Sequence, residues 1–449
     1  MRKTGEILYD RIKFSVIICL VYLLGKDVPV PLVGTGLPPK QNDILSFLSG
    51  ALGAGGQRAS LFSLGLQPYI TASIFVQLYI SLFKKQEKDY SQAGVFRASV
   101  FLTVIFALPM AILHARTLTM LPMPTPAAIL FGGLQPAAAW VLIVLYDAIP
   151  YIVATVALFT GTLFTMHLAG RNETYGIGGQ SLLIFVNMLD NLKDRIFLTG
   201  RTLIEQAAGK QPNAQTPEGS IGGMMKRIPT GTFVAFVIWM LVILFLITAV
   251  SLLMENAEVH IPIHHILVTE VRRDRDYLSI RLNPSGSMPV MYVMSVFSFP
   301  YYFLAFLNLF VPVGPAIEEA SRLLMLDRPL SVFLYLLLLV VLTYALAGLS
   351  VNADDIAESL QKQNDYILGT HPGDATADRI RKSVHATAFL SAFVTVLLVG
   401  LPMIARLVLH DASSLYMLPM SIMILSGIYV QIHREVQAVK LAEGYKEFL

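Results

Sequence analysis

Apolar residues in this chain fall in long uncharged runs, not in the alternation of a half-buried strand or the narrow stripe of a surface helix. Ten runs read as spanning helices, at about 12–31, 67–84, 97–115, 146–168, 180–199, 232–254, 288–311, 330–350, 384–407 and 415–433. A span takes ~20 apolar residues. The second run falls short: from Tyr69 to Phe83 it holds only about 15, and Pro68 opens it. The stretch before it, SGALGAGGQRASLFSLG from Ser49 to Gly65, carries five glycines and an arginine and is too polar to span. Irregular backbone persists at membrane depth only inside protein or along a water-filled cavity. The pattern predicts a short re-entrant piece, a break at Gly65–Gln67, and a helix returning from Pro68, where a missing N–H is no loss in a first turn.

Composition agrees. The 449 residues are 55% hydrophobic and 14% charged, with mean hydropathy +0.63, whereas a soluble domain carries ~25% charged residues. One cysteine, Cys19, excludes an intramolecular disulfide. Val-Pro-Val-Pro follows Phe14–Gly25 in place of a small-residue cleavage site, so the first run is expected to be a retained helix and not a signal peptide. Of the 33 Lys and Arg residues, 20 fall on the side of the N-terminus and 13 on the other, six of those within Lys193–Arg227. That bias predicts cytoplasmic N- and C-termini. Ten spans divide into two sets of five, the arrangement of inverted repeats. The expected halves are 1–200 and 232–449, joined by an external hinge loop, 201–231, that contains the polar GKQPNAQTPEGS. Val28–Pro31 (VPVP) and Ile261–His264 (IPIH) follow the first and sixth runs as a faint internal echo.

Two cytoplasmic loops are long, about 255–287 and 351–383. In the first, ILVTEV and YLSIRL flank RRDRD, which predicts a β-hairpin. In the second, Ile356 and Leu360 lie one turn apart in a charged helix, followed by turns at Gly369 and Pro372-Gly373. Such loops suit a docking platform, although ordinary connections would read similarly.

Little in the chain points to catalysis. There is no phosphate-binding G-x-x-x-x-G-K-[ST], so energy would come from a partner or an ion gradient. His260, His264 and His265 lie near Glu258 and Glu270 but match no metal-ligand spacing. No nucleophile–base arrangement appears. No catalytic role, cofactor or metal is expected, and no nucleic acid. In the fifth run, Asn187, Asp190, Asn191 and Asp194 share one helical face that Gln180 and Ile184 continue inward. Carboxylates facing lipid are costly, so this face either lines an aqueous outer cavity or is a snorkelling helix end beside Lys193 and Arg195. By spacing alone, Ile70 and Ile74 read as ordinary packing residues.

Ser63–Leu78, SLGLQPYITASIFVQL, resembles the start of the second helix in the SecY protein-translocase channel family. The resemblance covers nearly the whole chain. VPVPLVG, GTLFTMHLAGRNETYGIGGQSLLIF, NPSGSMPVMYVMS, VNADDIAESLQKQNDYILGTHPGDATADRI and IHREVQAVKLAEGY look like family counterparts in the same order. It implies an all-α polytopic membrane protein with ten transmembrane helices in two inverted five-helix halves around an hourglass pore, a re-entrant plug at about 50–64, and a cytoplasmic β-hairpin. The plug would include Gly50, Ala51, Leu52, Gly53, Arg58, Leu61 and Phe62. An apolar pore ring would consist of Ile70, Ile74, Ile184, Met291 and Ile424, the methionine standing where isoleucine is usual. Such a ring disfavours water and hydrated ions when empty. The face between helices two, three, seven and eight would open toward lipid. Implied partners are a SecA-type ATPase motor, small SecE- or SecG-like membrane subunits or accessory Sec proteins, a preprotein substrate and the bilayer. Motor docking would use Arg272, Arg273, Arg275, His371, Arg379 and Arg381.

The sequence departs from the family where the motor would sit. His371 stands where an arginine usually precedes the Pro-Gly, VHIPIHHI lacks the usual basic cluster, and KKQEKDYSQAGVF is atypical. That pattern looks like the accessory branch found in Gram-positive bacteria, which exports large, glycosylated, serine-rich adhesins. A general SecY channel is the alternative. A small-solute transporter would need ionisable groups near mid-membrane, where isoleucine and methionine are expected here. A non-conducting scaffold would have no use for the glycine-rich piece.

Overall fold

The computed structural model describes residues 6–32, 60–83, 92–119, 136–190 with 192, 233–265, 277–310, 328–409 and 418–446. These residues are mostly helical. In chain order they form α1 (Glu6–Asp27), α2 (Gln67–Phe83), α3 (Gln92–Thr119), α4 (Pro136–Tyr175), α5 (179–190), α6 (Phe233–Asn256), β1 (Glu258–His265), β2 (Tyr277–Arg281), α7 (Met288–Phe310), α8 (Pro329–Ser350), α9 (Ala353–Lys362), β3 (Asp365–Ile367), α10 (Asp374–Leu409) and α11 (Leu418–Lys446).

Four stretches among the described residues are long and apolar enough to cross a membrane: Gly94–Arg116, Ile149–Tyr175, Pro329–Lys362 and Asp374–Ile404. Their outer faces carry bare apolar side chains such as Phe101, Phe164, Phe333, Leu337, Phe389 and Phe393. Lipid tails accept such a surface and water does not.

The chain forms two compact units. The first comprises Met1–Gly223, Met294–Leu326 and Gln431–Leu449; the second comprises Met224–Val293 and Asp327–Val430. Specific contacts explain why two late segments belong to the first unit. Phe299 of α7 packs against Phe75 of α2 and Phe106 of α3, with ring centroids 5.1 and 4.6 Å away. Glu435 of α11 accepts the Gly178 N–H at 2.9 Å. Within this unit α3 packs on both α2 and α4, and α1 on α4.

In the second unit the two long loops share one small core. β1 pairs antiparallel with β2 along its first half and with β3 at its end, giving the order β2-β1-β3. Alternation puts Ile261 and Ile263 on one face of β1 and His260 and His264 on the other. The isoleucines meet Ile280, Leu360, Ile367, Ile380 and Val384. The histidines meet tyrosine rings, His260 edge-on to Tyr277 at 4.0 Å and His264 tilted against Tyr366 at 5.9 Å. On α9, Ala353, Ala357 and Leu360 are buried, spaced as one helical face, and Ile356 packs at its edge. Arg381 of α10 reaches Asp354 of α9 at 2.8 Å, an exposed pair whose kind contributes ~0–1 kcal/mol. The apolar core is therefore the main tie between the loops.

Truncating Leu360 to Ala is expected to destabilise this core by about 2–5 kcal/mol. Amide exchange in β1 and β2 should accelerate at least tenfold while α4 is unaffected. Unchanged protection in both strands would show that the loops fold independently.

Candidate functional site

The site is built from the segment that enters α2. Residues 60–66 form consecutive turns: the Ser63 N–H donates to the Ser60 carbonyl at 3.0 Å and the Gly65 N–H to the Phe62 carbonyl at 2.9 Å. Gly65 takes φ +54°, the left-handed region that glycine enters without strain. α2 then starts at Gln67, and its first hydroxyls fold back onto their own helix, Thr71 to the Gln67 carbonyl and Ser73 to that of Ile70. From Phe62 to Ile74 every residue is buried, with no carboxylate and no cation among them. A helix buried on all sides needs no polar face.

Of the expected ring residues, Ile70, Ile74 and Ile184 belong to the first unit and Met291 and Ile424 to the second. All five are buried. Of the expected plug residues, Leu61 and Phe62 lie in the described turns, whereas Gly50, Ala51, Leu52, Gly53 and Arg58 lie outside the described residues, as do Asn191, Asp194, Arg272, Arg273 and Arg275.

The polar face of α5 meets α1. Asp190 pairs with Lys26 at 2.6 Å, and Asn187, 2% exposed, hydrogen-bonds to the buried Tyr22 hydroxyl. Tyr22 and Lys26 are one turn apart on α1, as Asn187 and Asp190 are on α5, so one turn of α5 is fixed to one face of α1. Several buried polar atoms around this region, Ser60 Oγ, Ser63 Oγ, Gln67 Nε2, Gln180 Oε1 and Asn187 Oδ1, have no hydrogen-bond partner. An unpartnered buried polar atom costs about 1–3 kcal/mol unless water reaches it.

On the second long loop and the start of α10, His371 and Arg379 are exposed, while Arg381 is engaged by Asp354 and Asp378.

Two asparagine hubs escaped the sequence reading. Asn172 donates to the Ile177 and Gly179 carbonyls at 2.9 and 2.8 Å and accepts from Ser15, tying the α4–α5 turn to α1. Asn283 donates to Glu255 Oε1 and to the Gly286 carbonyl, each at 2.9 Å, and accepts from Ser391 at 2.8 Å. It thereby joins the end of α6, the entry to α7 and α10. Both lie inside quoted motifs, but side-chain pairing across 108 residues leaves no spacing to read.

A sequence model of the SecY family matches residues 60–433, most of the chain. The chain belongs to the SecY family. Among curated relatives, the accessory Sec system protein translocase subunit SecY2 of Streptococcus oralis (strain Uo5) is 29% identical over 439 residues, covering 96% of each chain. The same-named protein of Streptococcus salivarius (strain CCHSS3) is 26% identical, covering 98% of each. Two solved structures share the fold. One, described as a protein conducting channel, has TM-score 0.62 at 16% identity, covering 99% of this chain and 94% of that one. The other, from work on the SecY plug domain, has TM-score 0.59 at 15% identity with the same coverage. SecY membership accounts for the buried apolar helices and makes the protein membrane-embedded.

The Asn283 hub gives a stability test. Replacing Asn283 with Ala leaves Glu255 short of a donor and should cost about 1–3 kcal/mol. Asn283→Asp sets a second carboxylate beside it and should lower the melting temperature further. Equal melting temperatures for the parent and Asn283→Asp in detergent would contradict the hub.

Proposed function

We propose that this SecY-family chain is the channel subunit of an accessory Sec translocase. It passes unfolded preproteins, of the large serine-rich glycosylated surface class, across the bacterial plasma membrane. The observation that carries this reading is the buried stretch Phe62–Ile74, where a broken helix enters the protein interior without a single charge. A narrow apolar constriction resists water and ions at rest and offers no strong bond to hold a polypeptide in transit.

A solute transporter would place ionisable ligands at mid-helix. Three of the buried or half-buried ionisable groups, His114, Asp190 and Glu255, sit toward the ends of α3, α5 and α6, which favours the channel.

In this reading ten helices span the membrane in two inverted halves with cytoplasmic termini. Ile70, Ile74, Ile184, Met291 and Ile424 form the ring, and the glycine-rich segment at about 50–64 is the plug. The lateral opening lies between α2, α3, α7 and α8. The aromatic cluster of Phe75, Phe106, Phe299 and Phe303 supports this, since it is what must part for α7 to leave α2 and α3. A SecA-type motor engages the joined cytoplasmic loops, through His371 and Arg379 in particular, and small membrane subunits complete the channel. The names of the curated relatives support the accessory assignment.

Ile74→Asn should raise the resting ion conductance of the purified channel in planar bilayers by roughly tenfold, since a polar ring side chain holds water. Parent-like conductance would count against the ring. Arg379→Glu, which disturbs no ion pair among the described residues, should weaken motor binding to vesicles on the order of tenfold, about 1.4 kcal/mol. Unaltered binding would move the docking surface elsewhere.

A further inference from the structure

The turns at Ser60–Leu66 are gripped from two helices. The Leu61 N–H donates to the Val28 carbonyl at 2.9 Å, and Ser60 pairs with Pro29 in an antiparallel bridge just past the end of α1. The Thr165 hydroxyl of α4 donates to the Gly65 carbonyl at 3.2 Å. Phe62 lies between two near-parallel rings, Tyr22 of α1 and Phe164 of α4, with centroids 5.8 Å away on each side. Two glycines form the seat. A Cβ on Gly25 of α1 would overlap the Phe62 ring, and a Cβ on Gly161 of α4 would overlap the Leu61 carbonyl. Tyr22 and Lys26 continue the attachment into α5 through Asn187 and Asp190.

We propose that Ser60–Leu66 is a stationary anchor that stays seated on α1 and α4 while polypeptide passes, with Phe62, Gly25 and Gly161 as positioning residues for Ile70 and Ile74. The sequence reading extended the plug through Leu64 and broke the chain at Gly65. The anchor instead confines any displacement to residues before Ser60. A mobile element would not fit a ring and a carbonyl against two helices at glycines whose side chains must be absent. The inference rests on the channel reading above and adds which part of the entry to α2 does not move.

A reversible cross-link tests it. Leu61 and Val28 flank the Pro29–Ser60 bridge with their hydrogen bond, which makes it a non-hydrogen-bonded antiparallel pair with Cα atoms about 4.5 Å apart, within disulfide reach. Pro29→Cys and Ser60→Cys are introduced together in a Cys19→Ser background, since Cys19 is the one native cysteine. Export of a preprotein into vesicles bearing the channel, its small subunits and motor is then compared before and after oxidation with copper–phenanthroline. The anchor predicts oxidised export within about twofold of reduced export. A loss of roughly tenfold or more that dithiothreitol restores overturns the anchor alone. A parent channel that exports nothing under the same conditions overturns the channel reading and the anchor with it. Gly161→Ala supplies a second readout: lifting the Leu61 backbone off α4 should raise resting conductance roughly fivefold or more, and parent-like conductance overturns the positioning role.

Discussion

A peptide group in a bilayer must find its hydrogen-bond partner within the protein, because hydrocarbon offers none and each unmet group costs several kcal/mol. The entry to α2 is organised around that constraint. A helix that begins inside the protein exposes its first N–H groups. Here the turns of Ser60–Leu66 bond to one another, to Val28 and to Thr165, and Pro68 removes one donor from the account. Gly161 lets the irregular backbone approach α4, and Gly25 leaves room on α1 for the Phe62 ring. Buried apolar side chains at Ile70 and Ile74 can then stand one turn apart on a helix whose start is fixed.

The same constraint explains the asparagine hubs. Wherever a helix ends inside the protein and the chain turns there, unpaired carbonyls remain. Asn172 answers two of them with one amide, and Asn283 joins a carbonyl to the buried Glu255. Each hub fixes three chain segments through one side chain. Beyond the membrane the constraint lifts, and ordinary amphipathic logic returns. β1 and α9 bury one face and turn histidines and charges to the other, so two loops distant in sequence share one core.

How much of this was legible varies with the kind of force involved. Apolar runs declare helices, and α2, α6, α7 and α8 begin and end close to the runs at 67–84, 232–254, 288–311 and 330–350. Where a helix continues into water the run understates it: α10 begins at Asp374 rather than 384, and α11 extends to Lys446 rather than 433, because the extra turns are polar on their exposed side. The short apolar run after Pro68 exposed the break before α2. It could not expose the seat, since a glycine placed for close approach looks like any other until its neighbour is known. Asn187 and Asp190 were legible as a polar face, but their partners Tyr22 and Lys26 were not, because a pairing between α1 and α5 has no local spacing. The sequence left Ile70 and Ile74 as packing residues by spacing alone; the family resemblance singled them out, and their burial beside a clamped break in the chain is the physical reason to keep them.

The central claim is that a polypeptide in transit passes the buried apolar positions at the start of α2. It is tested most directly by trapping a preprotein partway through the channel with a folded, bulky C-terminal domain, and placing a photo-reactive amino acid at Ile74 in one channel and at the lipid-facing Phe101 in another. On illumination the trapped chain should cross-link to position 74 and not to position 101. Cross-linking at neither position, or at 101 alone, would contradict the account.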